Sequence, residues 1–144
     1  MRLLALDVGD RRIGVAVSDA SGLIATPLAV IRRGAKVDDF AKIARLVREQ
    51  GAEKLVIGYP LNVDSSAGPQ ALRVERFVAA MSEAFSLEGL SVPLILWDEH
   101  GSTQQAQQLM IGTGRSARDR RQRIDAVAAA VILQDYLDEQ QLAI

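Results

Sequence analysis

The chain opens with two short apolar runs separated by a turn-like segment, a pattern typical of β-strands. Residues 3–8 form one such run, and residues 12–18 form a second in which Ile13 and Val15 alternate with glycine and alanine. Residues 9–11 between the two runs have the composition of a tight turn. The pattern therefore predicts an antiparallel hairpin at the start of the fold.

A third strand is predicted from Leu23 to Ile31, bounded by a Ser-Gly pair before it and an Arg-Gly pair after it. Pro27 lies within this strand. Because proline has no N–H group to donate to a sheet ladder, it predicts an edge position or a bulge. Three antiparallel strands are thus expected before any helix.

Beyond residue 35 the apolar spacing changes to that of α-helices separated by short buried strands. The predicted helices span residues 37–50, 69–85, about 102–111 and 124 to about 137, and the predicted strands span 54–57 and 92–97. Gly51 is placed to cap the first helix. Parallel strands connected by helices must be covered on both faces. The order β-β-β-α-β-α-β-α-α therefore predicts an α/β fold, in which three antiparallel strands and then parallel strands form a mixed five-stranded sheet with helices on both faces.

Length and composition set broad limits. With 144 residues the chain matches a single domain spanning 1–144, and no apolar run reaches the roughly 20 residues of a membrane span. The absence of cysteine excludes disulfides and thiolate metal ligands and fits a reducing cytoplasm, while His100 as the single histidine excludes a multi-histidine metal site. A net charge of -1 argues against nonspecific coating of nucleic acid. We expect a cytoplasmic protein without a membrane partner.

Acidic residues interrupt or close three segments that are otherwise apolar. They are Asp7 in the first strand, Asp98 and Glu99 at the end of the last strand, and Asp125 at the start of the apolar part of the last helix. Two carboxylates about 4 Å apart at an effective dielectric near 20 repel by roughly 4 kcal/mol, so such a cluster binds a proton or a cation. Oxygen ligands favour Mg²⁺ or Mn²⁺. Two such ions about 3.5–4 Å apart can cleave a phosphodiester, so the pattern predicts a metal-dependent nuclease with a two-metal site.

Each acidic site also has a purely structural explanation. Asp7 could begin the turn, the pair of Asp98 and Glu99 could enter a solvated loop, and Asp125 could cap a helix. Against the last alternative, the helical pattern begins upstream among arginines. Asp125 then shares a helix face with small and apolar residues such as Ala128. Alanines on this face would let the helix approach the sheet closely.

A basic stretch precedes Asp125. Between residues 115 and 123 the chain carries five arginines against one aspartate. The candidates for phosphate contacts are Arg115, Arg118, Arg121 and Arg123. The alternative is a solvated helix start, the usual position of surface arginines. Asn62, after the strand at 54–57, is a further candidate contact, and a simple strand-ending turn explains it nearly as well.

Four segments combine into an ordered motif. They are Asp7-Val-Gly9 with Ile13-Gly14-Val-Ala-Val17, Ile57-Gly58-Tyr-Pro60-Leu61-Asn62, Asp98-Glu99 before Ser102-Thr103, and Asp125-Ala-Val-Ala-Ala-Ala-Val-Ile-Leu133. In this order and spacing they resemble the YqgF (RuvX) family over almost the whole chain. The resemblance implies a ribonuclease H-like fold related to the Holliday junction resolvase RuvC, and a nuclease that matures the 5′ end of precursor 16S ribosomal RNA. It also implies that Asp7, Glu99 and Asp125 are catalytic metal ligands, with Asp98 a further contributor.

The chain departs from the family pattern after Glu99, where His100-Gly101 replaces an arginine and a bulky apolar residue. A missing arginine would weaken phosphate contact. The leading hypothesis is a nuclease acting on structured RNA, with branched DNA as the alternative substrate. A noncatalytic nucleic-acid-binding assembly factor is a second hypothesis. An ATP-binding protein is a third, because Asp7-Val-Gly9 resembles a phosphate loop of actin and sugar kinases, although the chain lacks their two lobes. A monomer would suit an RNA end and a homodimer a symmetric junction.

Overall fold

The computed structural model describes residues 1–62, 64–98 and 117–142. Within these ranges lie the following strands and helices: β1 (Leu3–Val8), β2 (Arg12–Ser18), β3 (Ala25–Arg32), α1 (Lys36–Gln50), β4 (Lys54–Tyr59), α2 (Pro69–Leu87), β5 (Leu94–Asp98) and α3 (Ala117–Leu142). The helix predicted at about 102–111 falls outside the described residues. The other predicted strands and helices are all present.

The five strands form one sheet in the order β3-β2-β1-β4-β5. β2 pairs antiparallel with both β1 and β3. β4 pairs parallel with both β1 and β5. This is the predicted mixed sheet, and β1 lies at its centre with a partner strand on each side.

The third strand contains the irregularity that proline predicts. β3 lies at the edge of the sheet. Its register with β2 shifts between Val15, which pairs with Ala29, and Ala16, which pairs with Pro27. Leu28 is the extra residue on the β3 side of this bulge. Both features expected from Pro27 are confirmed.

Helices cover both faces of the sheet. Because successive residues of a strand point to opposite faces, β1 contributes to two separate apolar clusters. Leu4 and Leu6 pack in the cluster that contains α1 and α2, while Leu3 and Ala5 pack in the cluster that contains α3. Asp7 continues the second series, so its side chain lies on the face covered by α3.

The last helix differs most from its predicted bounds. α3 begins at Ala117 rather than Ile124 and ends at Leu142 rather than near Leu137. Its added first turns are rich in arginine, which favours helices but leaves no apolar period to detect. The cap of α1 matches the prediction, since Gly51 adopts the left-handed conformation with a φ of 63°.

The last strand begins two positions later than predicted, at Leu94 instead of Val92. Pro93 lies at the boundary and has no N–H group for the ladder. Its carbonyl still accepts a hydrogen bond from the backbone N–H of Leu55 at 2.9 Å. No helix within the described ranges is both long and apolar enough to cross a membrane.

Candidate active site

Asp7 lies inside β1, so the interpretation of it as a turn residue is wrong. It pairs in register with Gly14 of β2 and is partly buried. Burial raises the pKa of Asp7, and the negative charge of Asp125 raises it further, from 3.8 to about 6. Its ionised form is therefore disfavoured unless a cation lies beside it.

Asp125 reaches Asp7 because α3 packs directly on a glycine. A Cβ atom built on Gly14 would lie 1.8 Å from the backbone oxygen of Asp125 and 2.2 Å from its carbonyl carbon. Such distances are impossible for a real side chain, so this approach of α3 to β2 requires glycine at position 14. Because Gly14 is the partner of Asp7 in the sheet, the same contact brings the two carboxylates together.

Asp125 lies well inside α3, which begins at Ala117, so the interpretation of it as a helix N-cap is wrong. The face of α3 that carries Asp125 and packs on the sheet is the predicted one. Its other members are buried and are Ala128, Ala129, Ile132 and Tyr136. The two alanines keep the helix close to the strands, as expected from their small side chains.

Arg12 is a site residue that the sequence did not reveal. Its Nε donates to Oδ2 of Asp125 at 2.7 Å, and the side chains of Arg12 and Asp125 are 39% and 20% exposed. The guanidinium thus supplies positive charge beside the acidic pair. The two residues are 113 positions apart, so no local pattern connects them. The one signal in the sequence is a charged residue at the start of an otherwise apolar strand.

The end of β5 brings a third carboxylate to the same edge of the sheet. Asp98 is the last residue of β5, is exposed, and pairs with Tyr59 at the end of β4. β1, β4 and β5 are parallel, so their carboxyl ends lie along one edge, where ligand sites of α/β sheets form. Glu99 follows Asp98 and lies outside the described residues. Of the four predicted ligands, Asp7 and Asp125 are therefore in proximity and Asp98 shares their edge.

The donor chemistry fits a hard divalent cation. The site offers carboxylate oxygens and no sulfur ligand, as Mg²⁺ and Mn²⁺ prefer. Burial raises the pKa of Asp7 and the charge of Asp125 raises it further, and a bound cation would offset both effects. Within the described part of the chain, no three acidic, histidine or cysteine side chains converge as a metal-binding group. A third carboxylate beside Asp7 and Asp125 would have to come from outside the described residues, where the predicted ligand Glu99 lies.

Three of the four predicted phosphate-binding arginines lie in the first turns of α3. Arg123 is exposed and lies two residues before Asp125. Arg118 and Arg121 are on the same helix. Arg115 lies outside the described residues. The basic stretch is therefore continuous along the chain with the segment that carries Asp125.

Asn62 lies in the turn after β4. Its side-chain Nδ2 donates to Oγ of Ser66 at 3.1 Å, and its carbonyl accepts from the backbone N–H of Ser65 at 2.8 Å. These bonds stabilise the turn itself, as the structural alternative expects. Asn62 is exposed, and its contact with nucleic acid stays a prediction.

Sequence comparison identifies related proteins over nearly the whole chain. The profile of the RuvX family, described as Holliday junction resolvase, matches residues 1–139. A protein of Thermoanaerobacter pseudethanolicus is 43% identical over 98% of this chain and 99% of its own length. A protein of Geobacillus kaustophilus is 41% identical over 98% of this chain and 100% of its own. Both are named "Putative pre-16S rRNA nuclease".

Solved structures with the same fold come from resolvases. RuvC of T. thermophilus in complex with a Holliday junction substrate superimposes with a TM-score of 0.59 at 18% identity, over 98% of this chain and 96% of that one. The fowlpox virus resolvase in complex with Holliday junction DNA gives 0.58 at 11% identity, over 97% and 99%. At these identities the similarity establishes the fold alone. The chain belongs to the RuvX family and has the ribonuclease H-like fold of RuvC-type proteins.

Proposed function

We propose that this protein is a metal-dependent nuclease that hydrolyses a phosphodiester bond of precursor 16S ribosomal RNA during maturation of its 5′ end in the cytoplasm. The observation that carries the proposal is the contact of α3 with Gly14, which puts the carboxylate of Asp125 beside that of Asp7. Membership of the RuvX family and the names of the relatives support nuclease chemistry and the RNA substrate.

Asp7, Asp125 and Glu99 would hold Mg²⁺ or Mn²⁺, with Asp98 as a further ligand. When bound, a pair of these ions supplies an activated water and stabilises the leaving oxygen. Asp7 is fixed by strands on both sides, and Asp125 by a helix packed on the sheet. Ligands held this rigidly need little reorganisation during the reaction. In the structure Oδ2 of Asp125 is paired with Arg12, and a cation would have to displace that guanidinium.

The arginines between residues 115 and 123 would bind the substrate. Arg115, Arg118, Arg121 and Arg123 are suited to phosphate because the guanidinium offers two parallel N–H donors. Their position along the chain before Asp125 would bring backbone phosphates toward the carboxylates. Asn62, in the turn after β4, would add a polar contact near the same edge of the sheet.

Branched DNA is the second candidate substrate. It is favoured by the description of the RuvX family as a Holliday junction resolvase. A symmetric junction needs two cleavage sites related by a twofold axis, and therefore a homodimer. An RNA end needs one site, and therefore only a monomer.

The proposal is tested by incubating the protein and Mg²⁺ with a 5′-extended 16S precursor fragment or a four-way DNA junction. The precursor should be cut at a discrete position, and Asp7→Asn should slow the cut at least roughly 100-fold because a ligand is lost. Cleavage of the junction but not of the precursor would instead identify branched DNA as the substrate. Cleavage of neither substrate, or equal cleavage by Asp7→Asn, would reject nuclease action at this site.

A further inference from the structure

A cationic cavity lies beside the β1–β2 turn, on the face of the sheet that α1 and α2 cover. Its volume is about 180 Å³, and Val8 and Phe77 contribute apolar walls. Among the described residues, four cations line it, namely Arg33, Lys36, Arg73 and Arg76, against one carboxylate, Asp10. This local excess of positive charge contrasts with the net charge of -1 for the whole chain. The cavity is therefore suited to an anion.

Arg33 is held in place before any ligand binds. One of its terminal nitrogens donates to the carbonyl of Gly9 at 2.8 Å, and its guanidinium lies 5.2 Å from the centre of the Phe77 ring. A guanidinium has five N–H donors in a fixed fork, and the bond to Gly9 uses one of them. A fixed side chain loses little further freedom when an anion binds.

Two helices begin at the cavity. Lys36 is the first residue of α1 and Gln70 the second of α2, and neither helix has a side-chain cap. Helix N-termini present unpaired N–H groups and partial positive charge. α1 already has acidic residues in its first turn, and one of them, Asp39, accepts from the N–H of Gly34. α2 has none there, so its N-terminus makes the larger contribution.

The one carboxylate in the lining does not neutralise the cations. Asp10 lies 4.0 Å from Arg73, and their side chains are 74% and 59% exposed. An ion pair this long and exposed contributes little. Arg73 also donates to Gln70 at 2.9 Å, which keeps it at the cavity. A phosphate would offer Arg73 a stronger, charge-assisted partner.

The size and position of the cavity suit a single phosphate group within a longer nucleic-acid strand. Its volume is below the roughly 300–1,000 Å³ typical of small-molecule pockets. Val8, in its wall, follows Asp7 in β1 but points to the opposite face of the sheet. We propose that this cavity binds a backbone phosphate of the nucleic-acid substrate as the strand passes over the β1–β2 turn. The inference rests on the proposed function for the presence of a nucleic acid.

The test compares wild type with two doubly substituted proteins. Arg73→Gln/Arg76→Gln removes two exposed cations of the cavity, and Lys42→Gln/Arg45→Gln removes two exposed cations of α1 outside it. Binding of labelled precursor RNA and of a four-way junction is measured in EDTA, which prevents cleavage, over about 50 to 200 mM salt. Thermal melting checks that both variants fold.

The cavity variant should bind roughly tenfold more weakly at low salt, with a slope of log affinity against log salt lower by about 0.7–1. The control should remain close to wild type. If the cavity variant kept the affinity and salt slope of wild type, while wild type bound nucleic acid in EDTA and cleaved it in Mg²⁺, the role of the cavity would be disproved and the proposed function would stand. If wild type bound neither nucleic acid, the proposed function would fail and this inference with it.

Inorganic phosphate separates the two sources of the ligand. Titration followed by NMR of the arginine side chains should show phosphate binding in wild type and not in Arg73→Gln/Arg76→Gln. Loss of phosphate binding together with loss of nucleic-acid affinity supports a backbone contact. Loss of phosphate binding with unchanged nucleic-acid affinity would mean a site for free phosphate, and would overturn the proposal.

Discussion

The raised pKa of Asp7 links the stability of the metal-free protein to pH. The folded pKa of about 6 exceeds the unfolded value of 3.8, so the neutral form is the one that folding favours. The stabilisation that comes from neutral Asp7 is fully present below about pH 4, and it is lost as the pH rises through about 6 and the carboxyl ionises. A difference of about two pKa units corresponds to about 3 kcal/mol.

Asp7→Asn should remove this dependence, because an amide cannot ionise. In EDTA, the variant should match wild type near pH 4 and exceed it by up to about 3 kcal/mol near pH 8. Urea unfolding at the two pH values measures the difference. A stability difference that does not change with pH would show that Asp7 ionises normally in the folded protein.

Arg12→Gln tests the competition between the guanidinium and a metal ion for Asp125. The ion pair is partly exposed, so its loss should lower the free energy of unfolding by less than about 1 kcal/mol. Mn²⁺ should bind the variant severalfold more tightly, because the ion no longer has to displace the guanidinium of Arg12 from Asp125. Calorimetric titration with Mn²⁺ checks this, and unchanged or weaker binding would instead assign Arg12 a supporting role at the site.

The sequence predicted the acidic residues but not their cationic partner. The two-residue period of a strand puts Asp7 on the same face as Leu3 and Ala5, which is where it lies. Helical spacing likewise placed Asp125 on the buried face of α3. Arg12 could not be found this way, because its contact with Asp125 depends on how α3 docks on the finished sheet.

At the scale of elements, the packing of α3 on β2 depends on Gly14. Gly14→Ala would place a methyl group against the backbone of Asp125, so α3 must shift away. We expect a loss of about 3 kcal/mol or more in unfolding free energy and loss of RNA cleavage. Urea unfolding and the cleavage assay measure the two effects.

Gly34→Ala is the matched control for that substitution, since a Cβ there meets no atom within 4 Å. It should retain the stability and cleavage rate of wild type. If Gly14→Ala behaved like Gly34→Ala, close packing of α3 could not be what positions Asp125.

Element boundaries were predictable where a residue imposes a backbone constraint. Pro27 indicated the bulge at the edge strand, and Gly51 indicated the end of α1. The apolar pattern placed the start of α3 at Ile124, which is too late, because the first turns are polar and carry no apolar stripe; only their arginines indicated a start upstream of Asp125. The predicted start of β5 at Val92 was two residues too early, because Pro93 has no N–H group to donate to the ladder.

At the scale of the molecule, the order of strands and helices along the chain was sufficient to predict a mixed sheet covered on both faces. The pairing of β4 with β1 was not predicted, because it depends on contacts between segments that are far apart in the sequence. The cationic cavity was missed for the same reason. Its lining comes from the first turn, the start of α1 and the start of α2, which meet only after folding.

The central claim is that Asp7 and Asp125 hold one metal site between two distant elements of the fold. Mn²⁺ binding, measured by the EPR signal of the free ion, tests it in wild type, Asp7→Asn, Asp125→Asn and Asp138→Asn. Asp138 is an exposed carboxylate farther along α3 and serves as the matched control. Wild type and Asp138→Asn should bind Mn²⁺ equally, and the other two variants at least roughly tenfold more weakly. Equal Mn²⁺ binding by all four proteins would contradict the claim.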